Sequence, residues 1–389
     1  MELRFRNMKE FLYLGLWFIY SFSYILNSSV MNIGIVFKLE SVLIIGILAV
    51  MFFFHDYMKL KKVILAVIFF TACLLITRVT HKTAYLLFIM FIANSDYSKF
   101  DRIVRTTMIS IILSTGLVVV MSLAGIIPDY IFARDTGEMA HSYGFPYYYN
   151  LSAQAMYASI LYIYLKDNVR WFELLVIAGI SYVIYKECTT RLPFYVLMII
   201  ILVYVLLYKW NIIKTLNHTW IKCVSLVAFP LVCVGCVVFA QHYDPSVPMY
   251  KFSNDILNGR PRLSHVALNK YGMKLFGQYV EMKGNTYGET QHNYFFIDSG
   301  YILSVVEYGL IFTVILLALY SFIYYYSCKT NNKKLFIWIS MTLVFNVVNG
   351  CWFTLIYNPV FFILFHMDYD RITAFFERLK SGKIFVCRE

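Results

Sequence analysis

From residue 11 to residue 366 the chain is a succession of apolar runs separated by short polar breaks. A run of about 20 apolar residues crosses a hydrocarbon core of roughly 30 Å as a helix. The pattern therefore predicts an all-α, polytopic transmembrane helix bundle. Composition agrees: 60% of residues are hydrophobic and 14% charged, against roughly 25% charged in soluble domains. About twelve spans are expected, near residues 11–31, 41–54, 63–77, 83–95, 107–128, 147–165, 171–186, 193–208, 220–240, 299–325, 335–350 and 353–366. Those at 41–54, 83–95 and 353–366 are short enough to be tilted, paired or re-entrant. Residues 1–389 read as one integral membrane domain. Its first run follows Arg4, Arg6 and Lys9 and lacks a small-residue cleavage site, so it reads as an uncleaved span.

The formal charge of +12 does not indicate nucleic acid. Its basic residues are dealt out in small groups between apolar runs, where a nucleic-acid footprint would gather them on one soluble face. Counting from a cytoplasmic N-terminus, 22 of the 34 Lys and Arg residues fall in alternate connections or the tail, which puts both termini in the cytoplasm. The connections 129–146 and 241–298 then face outward. Cys233 and Cys236 form a C-x-x-C inside an apolar run without a second ligand pair, which reads as packing. No His and carboxylate cluster suggests a metal.

The 241–298 loop holds an amphipathic stretch after Asn258-Gly259-Arg260-Pro261. Leu263, Ala267, Tyr271 and Leu275 form one stripe, and Arg262, His265 and Asn269 a polar flank. This predicts a helix lying on the bundle. Polar chemistry gathers in four places facing outward. Arg134 precedes His141-Ser142-Tyr143-Gly144-Phe145-Pro146-Tyr147-Tyr148-Tyr149-Asn150, which also fits an interfacial aromatic belt. Arg191 follows Thr189-Thr190 at a helix start, where anions are favoured and where an arginine can equally snorkel. Arg260 and Arg262, with His265, make a dense cationic cluster. Guanidinium groups bind phosphate through a planar two-point fork, so converging arginines suit a diphosphate, although a solvated helix face looks the same in sequence. Finally, His292-Asn293 precedes Asp298-Ser299-Gly300 at the mouth of a span. Asp298 is placed to accept a proton if burial raises its pKa, and it also suits a helix N-cap. Glu307 reads as a tie between helices.

In this order, the features resemble the O-antigen polymerase and O-antigen ligase superfamily over most of the chain. That family commonly opens a middle span with G-F-x-(H)-P-N, to which Gly144-Phe145-Pro146-Tyr147-Tyr148-Tyr149-Asn150 is similar. Thr190-Arg191 and Gly259-Arg260 resemble its later arginine motifs. Ligases follow the loop with His, then Asn, Ser or Gln, then nine residues and Gly. Asp298-Ser299 followed by nine residues reaches Gly309, with Asp where ligases keep the His, which points to a polymerase of the O-antigen, capsule or exopolysaccharide type.

The resemblance implies a metal-independent, cofactor-free membrane glycosyltransferase in the bacterial plasma membrane. Such an enzyme moves a growing glycan from undecaprenyl diphosphate onto a lipid-linked oligosaccharide repeat unit, beside a flippase and a chain-length regulator as partners. Asp298 or His292 would serve as base, Arg191 and Arg260 would hold diphosphate, and Arg134, Arg262, His141, Asn150 and His265 would line the substrate site. Tyr143, Tyr147 and Tyr294 are candidates for stacking on sugars. The competing class is a repeat-unit flippase or other secondary transporter, which would place ionisable groups near the midplane at broken helices. Reporter fusions within 241–298 are expected to be active only as outward-facing proteins; activity confined to cytoplasmic reporters refutes this topology.

Overall fold

The computed structural model describes residues 2–31, 33–53, 60–82, 84–134, 137–284 and 294–367. It is mostly helical, 72%. Helices α1 (Glu2–Asn27), α2 (Gly34–Phe53), α3 (Leu60–Thr80), α4 (Ala84–Ala93) and α5 (Phe100–Leu123) come first. A two-stranded antiparallel hairpin, β1 (Ile131–Ala133) with β2 (Met139–His141), pairs Phe132 with Ala140. Then follow α6 (Tyr149–Leu165), α7 (Trp171–Cys188), α8 (Arg191–Tyr204) with a π turn through Lys209, and α9 (Thr219–Gln241). Next are α10 (Pro248–Ile256), α11 (Arg260–Tyr271), α12 (Gly300–Leu303) with a π turn through Tyr308, α13 (Leu310–Lys329) and α14 (Lys333–Phe345). Two 3-10 segments, Cys351–Phe353 and Pro359–His366, end the described chain.

Among the described residues, five helices are long and apolar enough to cross a bilayer: Gly34–Phe53, Phe100–Leu123, Arg191–Lys209, Thr219–Gln241 and Leu310–Lys329. These give the chain the character of a helical membrane protein. Two of the other apolar runs form shorter or interrupted elements. The run at 83–95 becomes the ten-residue α4, about 15 Å long at 1.5 Å per residue, half a hydrocarbon core. The run at 353–366 is interrupted at Asn358-Pro359 and continues as a 3-10 helix.

Apolar helices gain little from burying carbon against carbon in lipid, so polar contacts and close packing hold them together. Helices α1 and α5 pair through Trp17 Nε1, which donates to Thr107 Oγ1 at 2.8 Å, and Ser21 Oγ, which donates to Ser110 Oγ at 2.8 Å. Helices α9 and α13 meet around a stack in which the Tyr320 ring lies 4.9 Å from Phe229 and 5.1 Å from Trp352.

The run at 299–325 is one span in sequence and two helices in the structure. Gly309, at φ +90°, separates α12 and its π turn from α13. Breaking a helix strands the N–H groups of the next first turn. Here the segment after α11 supplies their acceptors: Leu310 N–H donates to Lys274 O at 3.0 Å and Ile311 N–H to Leu275 O at 3.1 Å. In return, Gln278 N–H donates to Glu307 O at 3.0 Å, and its side-chain amide donates to Tyr271 O at 2.9 Å and to Val306 O at 3.2 Å. The two backbones touch at a pair of glycines. A Cβ on Gly309 would lie 2.2 Å from Gly277 N, and one on Gly277 (φ +80°) 2.3 Å from Glu307 O.

Gly277→Ala and Gly309→Ala are each expected to lower the thermal midpoint of the detergent-solubilised protein. Forced left-handed backbone alone costs about 1–3 kcal/mol, and the overlap adds to it. Gly179→Ala on α7, where a Cβ meets nothing within 4 Å, is the control and should leave the midpoint unchanged. Equal midpoints for all three would refute the glycine lock.

Candidate functional site

The site is assembled where α11 meets the start of α12, and the segment that follows the β-hairpin reaches it through Tyr148. Gly259 adopts φ +79° and turns the chain out of α10, so that Arg260 and Pro261 open α11. Proline suits a first-turn position because its missing N–H has no helical partner there. The stripe faces inward as expected for Leu263 and Ala267, which are buried, while Leu275 lies beyond the helix and is exposed. Arg262 is exposed. His265 spends both ring nitrogens on architecture: Nδ1 donates to Ala240 O at 2.8 Å, tying α11 to the end of α9, and Nε2 accepts from Asn269 Nδ2 at 2.8 Å.

Arg260 instead turns toward Asp298. Its Nε lies 3.6 Å from Asp298 Oδ2, and the two side chains are 18% and 26% exposed. One guanidinium nitrogen, Nη1, donates to Leu257 O at 3.2 Å, while Nε is buried and makes no hydrogen bond. Asp298 is not the helix cap: Ser299 occupies the N-cap of α12. Burial pushes the Asp298 carboxyl above the usual carboxylate range, and the Arg260 charge opposes that rise. The Tyr294 phenol is pushed up to about 12, first by burial and then by the Asp298 carboxylate, with Arg260 opposing and the Tyr148 hydroxyl adding. These four groups therefore share one electrostatic field.

Tyr148 arrives from the hairpin side. Arg134 Nη1 donates to the Tyr148 hydroxyl, its guanidinium carbon lies 5.1 Å from that ring's centre, and Tyr147 OH donates to Tyr148 OH at 2.7 Å. The hairpin base is fixed by Asp129. Its Oδ1 accepts the N–H groups of Ser142 at 3.0 Å and Tyr143 at 2.7 Å, and its Oδ2 meets His141 Nδ1 at 2.6 Å. His141 thus serves the loop. Gly144, at φ +82°, completes the turn, since a Cβ there would sit 2.6 Å from the Ile127 side chain. Asn150 lies in the first turn of α6, its N–H donating to Tyr147 O at 3.1 Å. Tyr143 OH donates to Glu187 at 2.8 Å, on α7.

Of the residues chosen from sequence, the structure brings together Arg260, Asp298 and Tyr294, with Arg134 joining through Tyr148. Arg191 is exposed at the start of α8, where Thr190 and Ser152 share a buried hydrogen bond that binds α8 to α6. It does not enter the Asp298 pair. His292 lies outside the described residues, as does Glu289. Among the described residues no three His, Cys, Asp or Glu side chains converge on a point that could hold a metal.

Sequence reasoning missed Tyr148, because three consecutive tyrosines do not reveal which one faces the site. It also missed Asn346 and Asn349. Gly300 N–H donates to Asn346 O at 2.9 Å, and Asn349 Nδ2 donates to Tyr149 OH at 2.7 Å. Both fix the floor beneath Asp298 and lie in a stretch that reads as span. The Asn346 amide, 1% exposed, has neither of its polar atoms hydrogen-bonded. It lines a cavity of about 20 Å³ with Asn358, Trp338 and Trp352, room for about one water molecule. Glu307 pairs with Lys82 Nζ at 2.5 Å, joining the α3–α4 connection to the π turn after α12. Comparison with protein-family models, curated proteins and solved structures finds no match.

A raised carboxyl pKa makes the folded state hold its proton more tightly than the unfolded chain. The stability Asp298 contributes is therefore full below its ordinary value of 3.8 and is lost as pH rises through the elevated one. Asp298→Asn is expected to flatten that part of the thermal-midpoint profile, and Arg260→Ala to extend it to higher pH. A profile that Asp298→Asn does not change would refute the assignment.

Proposed function

We propose that this chain is a polysaccharide polymerase: a membrane glycosyltransferase that extends lipid-linked oligosaccharide repeat units on the outer face of a bacterial plasma membrane. In this reading the chain makes about twelve crossings, keeps both termini in the cytoplasm and carries 241–298 outside. The observation that supports it best is the Arg260–Asp298 pair, in which a shielded carboxyl stands beside a guanidinium whose Nε makes no hydrogen bond. Transfer of a glycan from undecaprenyl diphosphate needs two things at one place. A cation must take up the charge that develops on the departing diphosphate, and a base must take the proton of the attacking hydroxyl.

The acceptor oxygen attacks the anomeric carbon of the donor glycan. A new carbon–oxygen bond forms, the bond to the diphosphate oxygen breaks, and the bonding electrons leave with the diphosphate. Asp298 takes the proton, and His292 is the competing base. Arg260 receives the diphosphate, with Arg191, Arg134 and Arg262 as further cations, while Tyr294 offers a ring face for a sugar. His141 holds the hairpin base and His265 holds α11 against α9, and Asn150 lies in the first turn of α6. The working partners are the lipid-linked substrates, a flippase that delivers them and a regulator of chain length.

One observation favours a second reading as a flippase or other secondary transporter. Glu307 is 1% exposed, is paired with Lys82 and sits at the break in the run 299–325. Transporters place charged groups at such breaks.

The two readings separate in vesicles holding purified protein and lipid-linked repeat units. A polymerase lengthens the glycan and continues to do so with excess chelator; a flippase moves the lipid between leaflets without lengthening it. Arg260→Lys keeps the charge but loses the planar fork. It is expected to slow elongation about 10–150-fold, the loss of a charge-assisted hydrogen bond of about 1.5–3 kcal/mol. Asp298→Asn should abolish elongation. If Asp298→Asn elongates normally while His292→Ala is inactive, the base is His292.

A further inference from the structure

Helix α10 divides into three faces. Tyr250, Ser253 and Asn254 turn toward the protein: the Tyr250 ring stands 4.8 Å from Phe239 at the end of α9, and Asn254 Oδ1 accepts the Arg262 N–H at 3.2 Å. Lys251 and Asp255 form an exposed polar face. Met249, Phe252 and Ile256, at helical spacing, form an exposed apolar face, with Phe252 68% exposed. Such a face covered only by water would be unfavourable by roughly 25 cal/mol per Å² of apolar surface.

The neighbourhood supplies the covering medium. Val224, Val227, Leu231, Val234 and Val238 form an exposed apolar stripe along α9, a helix long enough to span a bilayer, and α10 packs on the end of that helix. A second exposed apolar group, Met273, Leu275, Phe276 and Tyr279, lies in the segment bonded to the first turn of α13. Beside it on α13 are the exposed Ile311 and Val314. Lys251, Lys270 and Lys274 flank the two groups, the arrangement expected of amphipathic segments lying among lipid headgroups.

We propose that α10 and the 273–279 segment are two lipid anchors inserted in the interfacial layer of the bilayer. Arg260, four residues beyond α10 and one helix before the second anchor, then sits at the depth of the lipid phosphates. On the function proposed above, the site then meets its lipid-borne substrate sideways, from the membrane. The anchoring stands independently of the reaction proposed above.

The test places photoreactive p-benzoylphenylalanine at Phe252, Phe276, Leu231 or Asp255 of the full chain, in phosphatidylethanolamine and phosphatidylglycerol vesicles carrying a fluorescent phospholipid. Lipid adducts are expected at Phe252 and Phe276 as strongly as at Leu231 on the spanning helix, and none at Asp255. Adducts at Leu231 but not at Phe252 would overturn the proposal, as would adducts at Phe252 joining two copies of the chain. A lipid adduct at only one of Phe252 and Phe276 would overturn two-point anchoring.

Discussion

A helix inside a membrane can be broken only if something replaces the water its freed N–H groups would otherwise bind. At Gly309 the replacement is the chain itself: Lys274 and Leu275 lend carbonyls to α13, and Glu307 lends one back to Gln278. Much else follows from that exchange. It pins the segment after α11 and permits the short α12 ahead of α13. It also requires glycine on both sides, because the strands approach within backbone contact. The buried Glu307 at the same joint binds Lys82 from the α3–α4 connection, so three distant stretches of sequence depend on one pair of glycines.

The Asp298 group shows how such a scaffold brings ionisable side chains together. Burial and a neighbouring cation act on its carboxyl in opposite directions, and burial is the larger effect. A carboxyl held well below its ordinary range would be a poor proton acceptor, and removing the cation would raise this one further. The 3.6 Å spacing leaves Arg260 near enough to hold the charge in place without a hydrogen bond from Nε. Under the proposed function it is the Nη groups of that guanidinium that would meet an anion.

Fold class was legible in the apolar runs, and so was α11, because Gly-Arg-Pro followed by Leu263 and Ala267 on one face is a local signal. Span lengths were not. Apolar residues are equally at home in a spanning helix, a buried 3-10 segment and a loop inserted beside α13, so hydropathy alone cannot separate α4 or Pro359–His366 from a true span. Arg260 and Asp298 were visible as chemistry-bearing residues in sequence, but their meeting required long-range folding. His265 shows the reverse: as a histidine in a cationic cluster it suggested a ligand, yet the carbonyl at the end of α9 and the amide one turn along its own helix occupy it. Tyr148, Asn346 and Asn349 were passed over, because one lies among other tyrosines and the asparagines lie within a run read as membrane.

Asn254 is bonded twice, its carbonyl accepting the Gly259 N–H at 2.8 Å and its side chain accepting the Arg262 N–H. Those two bonds bracket Arg260 and splint the first turn of α11 to α10. A helix riding in the headgroup layer rises and sinks with bilayer thickness, and the splint would carry that displacement into the guanidinium, whereas Asp298 is held by the bundle floor through Gly300 and Asn346. With α10 anchored as proposed, the gap between cation and carboxyl would act as a mechanical gauge, and lipid tail length would help determine how well the site is poised.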